Sequence, residues 1–317
     1  MHFDVIGLLG GTGFLGQNLV TALARRGVRM RVLTRKRERH RDLLVFPTVE
    51  LVETDVHDAA ALERSFGGLQ AVVNLCGILN PAGAEGFSRV HAELPAKVAS
   101  ACSRQGVRLL VHVSALGVSE EAPSEYLRSK WMGEQALRDP SRNGTPTSVF
   151  RPSVIFGPGD RFFTRFAELL QLLPGPFPLA CPRAKLQPVY VGDVVQALCK
   201  TLEQRSLWNE TFEVAGPHVY RLAELVEYTA RVTGVRKRVI PLSPRLSRIE
   251  AQVLEHFPGK PLSLDTLRSL EVDNVTRDNA LLALGIAPTG VEAVVPGYLG
   301  KARKTARLGV FRRLAHR

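Results

Sequence analysis

Short apolar runs alternate with amphipathic stretches through the first half of the chain. The runs are rich in Val, Ile and Leu, as buried strands are, and the stretches between them place apolar residues at helical spacing. Strands that alternate with helices predict a parallel sheet with helices on both of its faces. The predicted strands are 3–9, 29–34, 50–52, 71–75, 109–114 and 147–151.

The pattern becomes less regular after residue 151. Two more strands are predicted at 187–191 and 211–215, and both are expected to return to the first sheet. The chain has 317 residues, which is above the usual size of one domain. The prediction is a larger domain, 1–157, with returning segments at about 187–216, a smaller and mostly helical lobe, and a tail. The lobe takes 158–186 and 217–300, the tail takes 301–317, and the predicted helices of the lobe are 162–173, 222–233, 245–257 and 263–270.

A glycine-rich loop separates the first strand from the first helix. It comprises Gly10, Gly11, Thr12, Gly13, Phe14, Leu15 and Gly16. Glycines permit a tight turn and a close approach of a ligand to the backbone, and the following helix presents N–H groups and a partial positive charge. This context predicts that the loop binds the pyrophosphate of a dinucleotide, although a purely structural glycine turn is the alternative.

The loop after the second strand carries positive charge where a dinucleotide site needs a ribose partner. An acid at this point would accept hydrogen bonds from the ribose hydroxyls, whereas a cation would bind a 2′-phosphate. Here the strand ends at Thr34 and is followed by Arg35, Lys36 and Arg37. The sequence therefore predicts NADP(H) in preference to NAD(H), unless these are solvated loop charges.

Two further strand ends point to the same ligand. Asp55 and Val56 follow the third strand, where a carboxylate can meet the adenine amino group. The segment Asn74, Leu75, Cys76 and Gly77 closes the fourth, where a small residue lets a dinucleotide cross the sheet edge. Either signal is weak by itself, because strands commonly end in this way.

A tyrosine and a lysine four residues apart are predicted to share one helix face. They are Tyr126 and Lys130, and Ser114 ends the preceding strand. A nearby cation can make a phenol usable for proton transfer at neutral pH, so we expect Tyr126 to act as acid and base, Lys130 to tune it and Ser114 to position the substrate oxygen. The alternative is an exposed Tyr/Lys pair with no role in catalysis.

Together these motifs resemble the extended or atypical short-chain dehydrogenase/reductase superfamily, which includes epimerases, dehydratases and reductases. The similarity comprises GGTGFLG, the strand end at Ser114, YLRSK at 126–130 and RPSVIFGPG at 151–159. LVHVSAL at 110–116, QPVYVGDV at 187–194 and the segment 262–275, which includes DNV at 273–275, are similar to the branch that contains the NADPH-binding accessory subunit of respiratory complex I and its bacterial relatives.

The resemblance implies a fold and a set of cofactor contacts. The fold is an α/β Rossmann domain, with a doubly wound parallel sheet, and a smaller, mostly helical C-terminal substrate lobe. The implied contacts are Thr12, Gly13, Phe14 and Leu15 with the phosphates, Arg35 with the 2′-phosphate, and Tyr126, Lys130 and Pro152 with the nicotinamide end.

Two positions depart from the pattern of catalytic members. His91 replaces an Asn that is common there, and it is expected to make a structural hydrogen bond, with proton relay as the alternative. An alignment shifted by one residue would place Ala115, in place of Ser114, at the position of the catalytic hydroxyl. Both departures bear on turnover and leave cofactor binding untouched.

The formal charge of +12 is concentrated in two segments. Residues 25–41 hold nine Lys and Arg with one acid, and residues 301–317 hold seven with none. Almost no aromatic residues accompany them, which excludes a base-stacking surface and hence a nucleic-acid partner. The tail is predicted to contact an anionic membrane surface or a respiratory membrane complex, with a disordered solubilising tail as the alternative.

Other features narrow the classes of protein further. Apolar runs long enough to span a bilayer are missing, the N-terminus lacks the features of a secretory signal, and the four cysteines lack metal-like spacing. We expect a cytoplasmic protein, peripheral on the inner face of a membrane, without a metal site. It is predicted to be an NADPH-dependent oxidoreductase for a small carbonyl or quinone-like substrate. The alternatives are a non-catalytic NADPH-binding accessory protein of a respiratory or quinone-related complex and, third, a nucleotide-sugar epimerase or dehydratase.

Overall fold

The structure, a computed structural model, describes residues 3–80, 86–139, 141, 144–255 and 262–300. Its strands are β1 (Val5–Leu9), β2 (Arg29–Thr34), β3 (Val49–Glu53), β4 (Ala71–Asn74), β5 (Leu109–Val113), β6 (Thr147–Pro152), β7 (Ile155–Phe156), β8 (Phe177–Leu179), β9 (Lys185–Leu186), β10 (Val189–Tyr190), β11 (Thr211–Val214), β12 (Tyr220–Arg221) and β13 (Val239–Pro241). Its α-helices are α1 (Phe14–Arg25), α2 (Ala59–Phe66), α3 (Leu94–Arg104), α4 (Glu125–Arg138), α5 (Phe163–Leu172), α6 (Val191–Glu203), α7 (Leu222–Thr233), α8 (Pro244–Leu254), α9 (Leu264–Ser269), α10 (Ala280–Ala283) and α11 (Val291–Leu299). Shorter helical turns cover Arg37–Val45, Arg89–Glu93 and Arg205–Leu207.

The main sheet runs in the order β11-β6-β5-β4-β1-β2-β3, and every pairing in it is parallel. Helices follow its strands along the chain, so the doubly wound α/β fold predicted from the sequence is confirmed. The chain moves outward from β1 to β2 and β3, then crosses to β4 on the other side. Ligands of open α/β sheets bind at such a reversal, outside the carboxyl ends of the strands.

A core of side chains from helices and strands holds this sheet together. Leu62 and Phe66 of α2 and Val98 and Cys102 of α3 are fully buried in one cluster with Val72 of β4. Because β4 and β5 are buried along their whole length, their sequences are continuous apolar runs interrupted by Asn74 and His112. Both polar residues belong to the candidate site.

The chain divides into two compact units by its internal contacts. The first unit is Met1–Pro152, Val191–Val214 and Thr276–Ile286, and it contains the seven-stranded sheet among the residues described. The second unit is Ser153–Tyr190, Ala215–Val275 and Ala287–Arg317, and it is mostly helical in its described part.

The second unit has its own hydrophobic core, and hydrogen bonds to Asn274 join separate segments of it. α5, α7 and α11 pack around buried residues such as Phe163, Leu225 and Val295. Asn274 connects separate segments of this unit: its side-chain oxygen accepts hydrogen bonds from Ser153 and from the backbone of Val154, and its carbonyl accepts one from the Gln187 N–H.

One strand prediction is wrong. The segment 187–191 contributes β10, which pairs with β7 in a separate two-stranded sheet and does not return to the main sheet. The prediction for 211–215 is confirmed, because β11 pairs with β6 at the edge of the main sheet. The predicted basic tail at 301–317 lies outside the described residues. In the described part of the chain, every helix is too short or too polar to cross a membrane.

Candidate active site

The glycine loop forms a tight turn against the end of β4. Gly10 has φ +73°, a left-handed conformation that favours glycine, and a side chain there would come within 2.9 Å of the Leu75 backbone. A Cβ on Gly16 would lie 2.6 Å from Gly11 and would overlap the Gly10 carbonyl oxygen. The Gly13 N–H donates to that same oxygen over 3.0 Å and closes the turn. Glycine is therefore required at Gly10 and Gly16, because backbone atoms of nearby residues lie where a Cβ would be.

The loop leads into a helix with an open N-terminus. Gly13 is the N-cap of α1 and provides no side-chain cap, and the first turn contains no acidic residue. Gly13 is exposed, whereas Thr12, Phe14 and Leu15 are half-buried. The uncapped N–H groups and the positive end of the helix suit a phosphate, so the cradle fits the pyrophosphate predicted for it.

The basic residues after β2 lie at the same edge of the sheet as this loop. β1 and β2 are parallel neighbours, with Leu9 in register with Leu33, so their carboxyl ends adjoin. Arg35 and Lys36 follow Thr34 there and are exposed, and Lys36 donates its N–H to the Thr34 hydroxyl over 3.3 Å. This positive charge lies at the sheet edge where the ribose 2′-phosphate of NADP(H) is predicted to bind.

The ends of β3 and β4 complete this edge. Asp55 is exposed, and its carboxylate accepts the His57 N–H over 2.9 Å, while Val56 is half-buried. Leu75 and Cys76 are half-buried and Gly77 is exposed. These residues belong to the first unit and flank the glycine loop on both sides in strand order.

Lys130 is buried beneath the end of β5. Its Nζ donates to the Val113 carbonyl over 3.1 Å, and a Cβ on Gly77 would lie 3.1 Å from that nitrogen. Burial lowers the pKa of the Lys130 ammonium to about 8, against a smaller upward influence of Cys76 and Glu134. Lys130 thus joins helix α4 to the end of β5, next to Gly77 of the loop after β4.

The ring of Tyr126 packs against two other aromatic rings. It is half-buried and lies edge-on to His91 and Phe87, with centroid distances of 5.4 and 6.0 Å. Burial raises the pKa of the phenol to about 12. The phenol is therefore protonated at neutral pH.

Ser114 and Pro152 lie on adjacent strand ends. The Ser114 N–H donates to the Phe150 carbonyl over 2.7 Å, and the Leu116 N–H donates to the Pro152 carbonyl over 2.9 Å. The Ser114 Oγ is buried and has no hydrogen-bond partner among the described residues. A buried hydroxyl in that condition is suited to receive a ligand atom.

The two hydrogen bonds of His91 fix its tautomer. The Ser129 hydroxyl donates to the Tyr126 carbonyl over 2.8 Å, so the His91 Nδ1–H donates to Ser129 over 2.9 Å. The other nitrogen, Nε2, accepts the Ile78 N–H over 3.0 Å. Burial, assisted by the charges of Lys130 and His112, lowers the pKa of His91 to about 2. His91 is therefore a neutral structural residue, as the sequence led us to expect.

Two residues next to this group, Asn74 and His112, had no role of their own predicted from the sequence. Asn74 accepts the Cys76 N–H at its side-chain oxygen over 3.1 Å and donates from Nδ2 to the Nδ1 of His112 over 3.2 Å. His112 is fully buried, and burial with the charge of Lys130 lowers its pKa to about 3. The sequence carries a signal for both residues, because a polar side chain inside a buried strand needs a hydrogen-bond partner. Asn74 and His91 thus hold the two ends of the segment from Cys76 to Ile78.

A buried ion pair anchors the helix that carries Tyr126 and Lys130. Glu134 of α4 is completely buried and accepts two hydrogen bonds from Arg151 of β6, at 3.0 and 2.7 Å. A bidentate pair of this kind fixes orientation as well as distance. It holds α4 against the same strand that ends at Pro152.

Several known proteins are similar to this chain in sequence. The profile described as the NAD dependent epimerase/dehydratase family matches residues 6–215. The chain is 29% identical to the mitochondrial NADH-ubiquinone oxidoreductase 40 kDa subunit of Neurospora crassa, over 94% of this chain and 80% of that protein. It is 32% identical to the ceramide reductase of Caulobacter vibrioides, over 75% of this chain and 73% of the reductase.

The solved structures show the same fold. The UDP-glucose 4-epimerase of Thermus thermophilus, in complex with NAD, matches with a TM-score of 0.61 at 23% identity. The match covers 83% of this chain and 99% of the epimerase.

Proposed function

The chain belongs to the NAD dependent epimerase/dehydratase family, and from this premise we propose that it binds NADP(H) along the edge from β3 to β5. The observation that carries the proposal is the cradle of Gly10, Gly13 and Gly16 beneath the uncapped start of α1. Backbone N–H groups there would hold the pyrophosphate. The further contacts proposed are Thr12, Phe14 and Leu15 at the phosphates, Asp55 and Val56 at the adenine, Leu75, Cys76 and Gly77 across the edge, and Tyr126, Lys130 and Pro152 at the nicotinamide end.

The preference for NADP(H) rests on the loop after β2. Arg35 and Lys36 are exposed at the carboxyl end of β2, next to the strand that leads into the glycine loop. A guanidinium binds a phosphate with two parallel hydrogen bonds, and a ribose 2′-phosphate offers that geometry. With this assignment, NADPH binds more tightly than NADH.

The cofactor preference is tested by titrating the protein with NADPH and NADH. The Arg35→Ala variant should lower the NADPH affinity by about tenfold and leave the NADH affinity nearly unchanged, as expected for one lost charged hydrogen-bonding partner. Arg39→Ala is the matched control, because Arg39 is an exposed cation in the helical turn that follows this loop. An unchanged affinity ratio in Arg35→Ala contradicts the assignment.

For the reaction, we propose reduction of a carbonyl or quinone-like substrate. NADPH, when bound, supplies a hydride. Tyr126 then supplies the proton to the substrate oxygen, and its raised pKa keeps the phenol protonated for that role. Ser114 has a buried hydroxyl that can donate to the same oxygen, and Lys130 keeps a positive charge beneath the site. The name of the Caulobacter relative supports the direction of reduction.

The reaction is tested by NADPH consumption with panels of carbonyl compounds and quinones. Tyr126→Phe should lower turnover by about 100-fold, a typical share for acid catalysis, while the NADPH affinity stays within about threefold. Tyr190→Phe is the matched control, since Tyr190 is a half-buried tyrosine of the second unit. Equal turnover in Tyr126→Phe and the wild type contradicts the role given to this phenol.

A second candidate is an accessory protein that holds NADPH without turning it over and serves a respiratory membrane complex. The match to the Neurospora subunit supports it, because that match extends over 94% of the chain, beyond the first unit. The neutral His91, with both ring nitrogens in hydrogen bonds, at a position where catalytic members commonly carry Asn supports it as well. This candidate predicts NADPH binding with a raised Tm, no NADPH consumption with either substrate panel, and capture of membrane-complex subunits by the full chain.

A further inference from the structure

Helix α8 of the second unit carries an apolar stripe on its outer face. Leu246, Ile249 and Val253 are 52%, 56% and 54% exposed. Their spacing of three and four residues places them on one side of the helix. Exposed aliphatic side chains are common singly, but three in line on one helix form a surface that calls for a partner.

The helix itself is fixed, so the stripe is held outward. Ser247 and Ala251 are buried on the opposite side, and Ala251 packs in a cluster with Ala180 and Leu267. Ser243 caps the N-terminus by accepting the Leu246 N–H. The exposure of the stripe is therefore a property of a well-packed helix.

Positive charge lies close to the stripe along the chain. Arg245, one turn before Ile249, and Arg248 are exposed on α8 itself. Arg236 and Arg238 are exposed just before β13, which leads into α8. Over residues 236–255 the chain holds five Lys and Arg against two Glu.

The acid within the helix does not offset these arginines on the outer face. Glu250 is half-buried, and its Oε2 is fully buried without a hydrogen-bond partner among the described residues. The carboxylate thus points inward, and the outer face presents aliphatic side chains bordered by guanidinium groups.

We propose that this face of α8 docks the protein on an anionic lipid surface, with Leu246, Ile249 and Val253 entering the boundary between headgroups and acyl chains. Arg245 and Arg248 then meet the headgroup phosphates. A helix with an apolar face and flanking cations binds membranes in this orientation, lying in the plane of the interface. The contact is separate from the basic tail at 301–317 and does not depend on the proposed cofactor or reaction.

The composition of the stripe favours lipid over a protein partner. Stable protein interfaces bury on the order of 800 Å² on each partner and concentrate Trp and Tyr at their centre. The outer face of α8 offers three aliphatic residues bordered by arginine and no aromatic ring. Lipid binding needs only this narrow apolar strip together with charge attraction.

The test is flotation of the full chain with two kinds of vesicle. One contains phosphatidylcholine alone, and the other has about one third phosphatidylglycerol, which supplies the negative surface. The wild type should float with the anionic vesicles only, and NaCl should lower its recovery. The triple variant Leu246→Ser, Ile249→Ser, Val253→Ser should lose about tenfold in vesicle affinity. Leu282→Ser is the matched control, because Leu282 is an aliphatic residue of the first unit that is 67% exposed.

A second variant keeps the test decisive if the triple variant folds poorly. Arg245→Gln with Arg248→Gln changes only exposed charges and should lower recovery, whereas Arg29→Gln with Arg277→Gln, at two exposed sites of the first unit, should not. Wild-type recovery of a folded α8 variant overturns the proposal. So does concentration-dependent association of the wild type that the α8 variants abolish without vesicles, because the face would then bind a second copy of the chain.

Discussion

The backbone N–H of Ile78 donates a hydrogen bond to His91 Nε2 over 3.0 Å, and this contact ties the segment after β4 to the helix that carries Tyr126. His91 reaches the helix through Ser129, whose hydroxyl bonds to the Tyr126 carbonyl. The residue that departs from the family pattern thus joins the proposed cofactor edge to the proposed catalytic tyrosine.

Replacement of His91 should lower both the stability of the fold and the affinity for NADPH. His91→Ala leaves the Ile78 N–H without its acceptor and removes one of the two hydrogen bonds of the Ser129 hydroxyl, and we expect the free energy of unfolding to fall by about 2 to 3 kcal/mol. NADPH affinity should fall as well, because the segment containing Gly77 loses one of its ties. Urea unfolding and NADPH titration measure the two effects. His218→Ala, at an exposed histidine, is the control, and equal behaviour of the two variants would refute the positioning role.

The buried histidines should make the fold sensitive to acid. Burial lowers the pKa of His91 to about 2 and that of His112 to about 3, whereas both titrate near 6.5 in the unfolded chain. The unfolded state therefore binds more protons between about pH 6.5 and pH 3, and stability falls as the pH falls through this range. His112→Asn should flatten the dependence of unfolding free energy on pH. An unchanged slope would mean that His112 is charged in the folded protein.

Lys130 should give a pH dependence of the same sign at alkaline pH. Burial lowers its pKa to about 8, and the unfolded value is 10.5. Between these values only the unfolded state holds the proton, so stability due to this group rises with pH, by up to ~3 kcal/mol at about 1.4 kcal/mol per unit. Lys130→Met should remove that rise and stabilise the protein at pH 7, where the buried charge is costly. The check is thermal unfolding from pH 7 to pH 10.5, and a rise that survives in Lys130→Met would contradict the assignment.

Gly16 should be intolerant of any side chain. A Cβ there overlaps the Gly10 carbonyl oxygen, so Gly16→Ala must move the glycine loop or α1. We expect a loss of about 2 kcal/mol or more in stability, as for overpacked sites, and a NADPH affinity too weak to measure. Gly297→Ala is the matched control, because Gly297 is also helical and a Cβ there meets no described atom within 4 Å. Normal NADPH binding by Gly16→Ala would rule out this loop as the phosphate site.

Sequence pattern was sufficient for the main sheet because its strands are continuous apolar runs between helices. It failed at 187–191, since a strand as short as β10 has no periodicity, and its pairing with β7 depends on contacts far along the chain. The motif residues could also be located from the sequence, but the hydrogen bonds and burial of their side chains could not. The spacing of Tyr126 and Lys130 indicated one helix face, yet only the structure shows that Lys130 bonds to the Val113 carbonyl and that burial governs the phenol.

Native mass spectrometry of the purified full chain shows whether the edge of the main sheet holds NADP(H). We predict a species heavier than the apoprotein by one NADP(H), either as purified or after addition of NADPH, and its loss in Gly16→Ala. NADH added at the same concentration should give a weaker signal. A spectrum that shows only the apoprotein at millimolar NADPH would contradict the account.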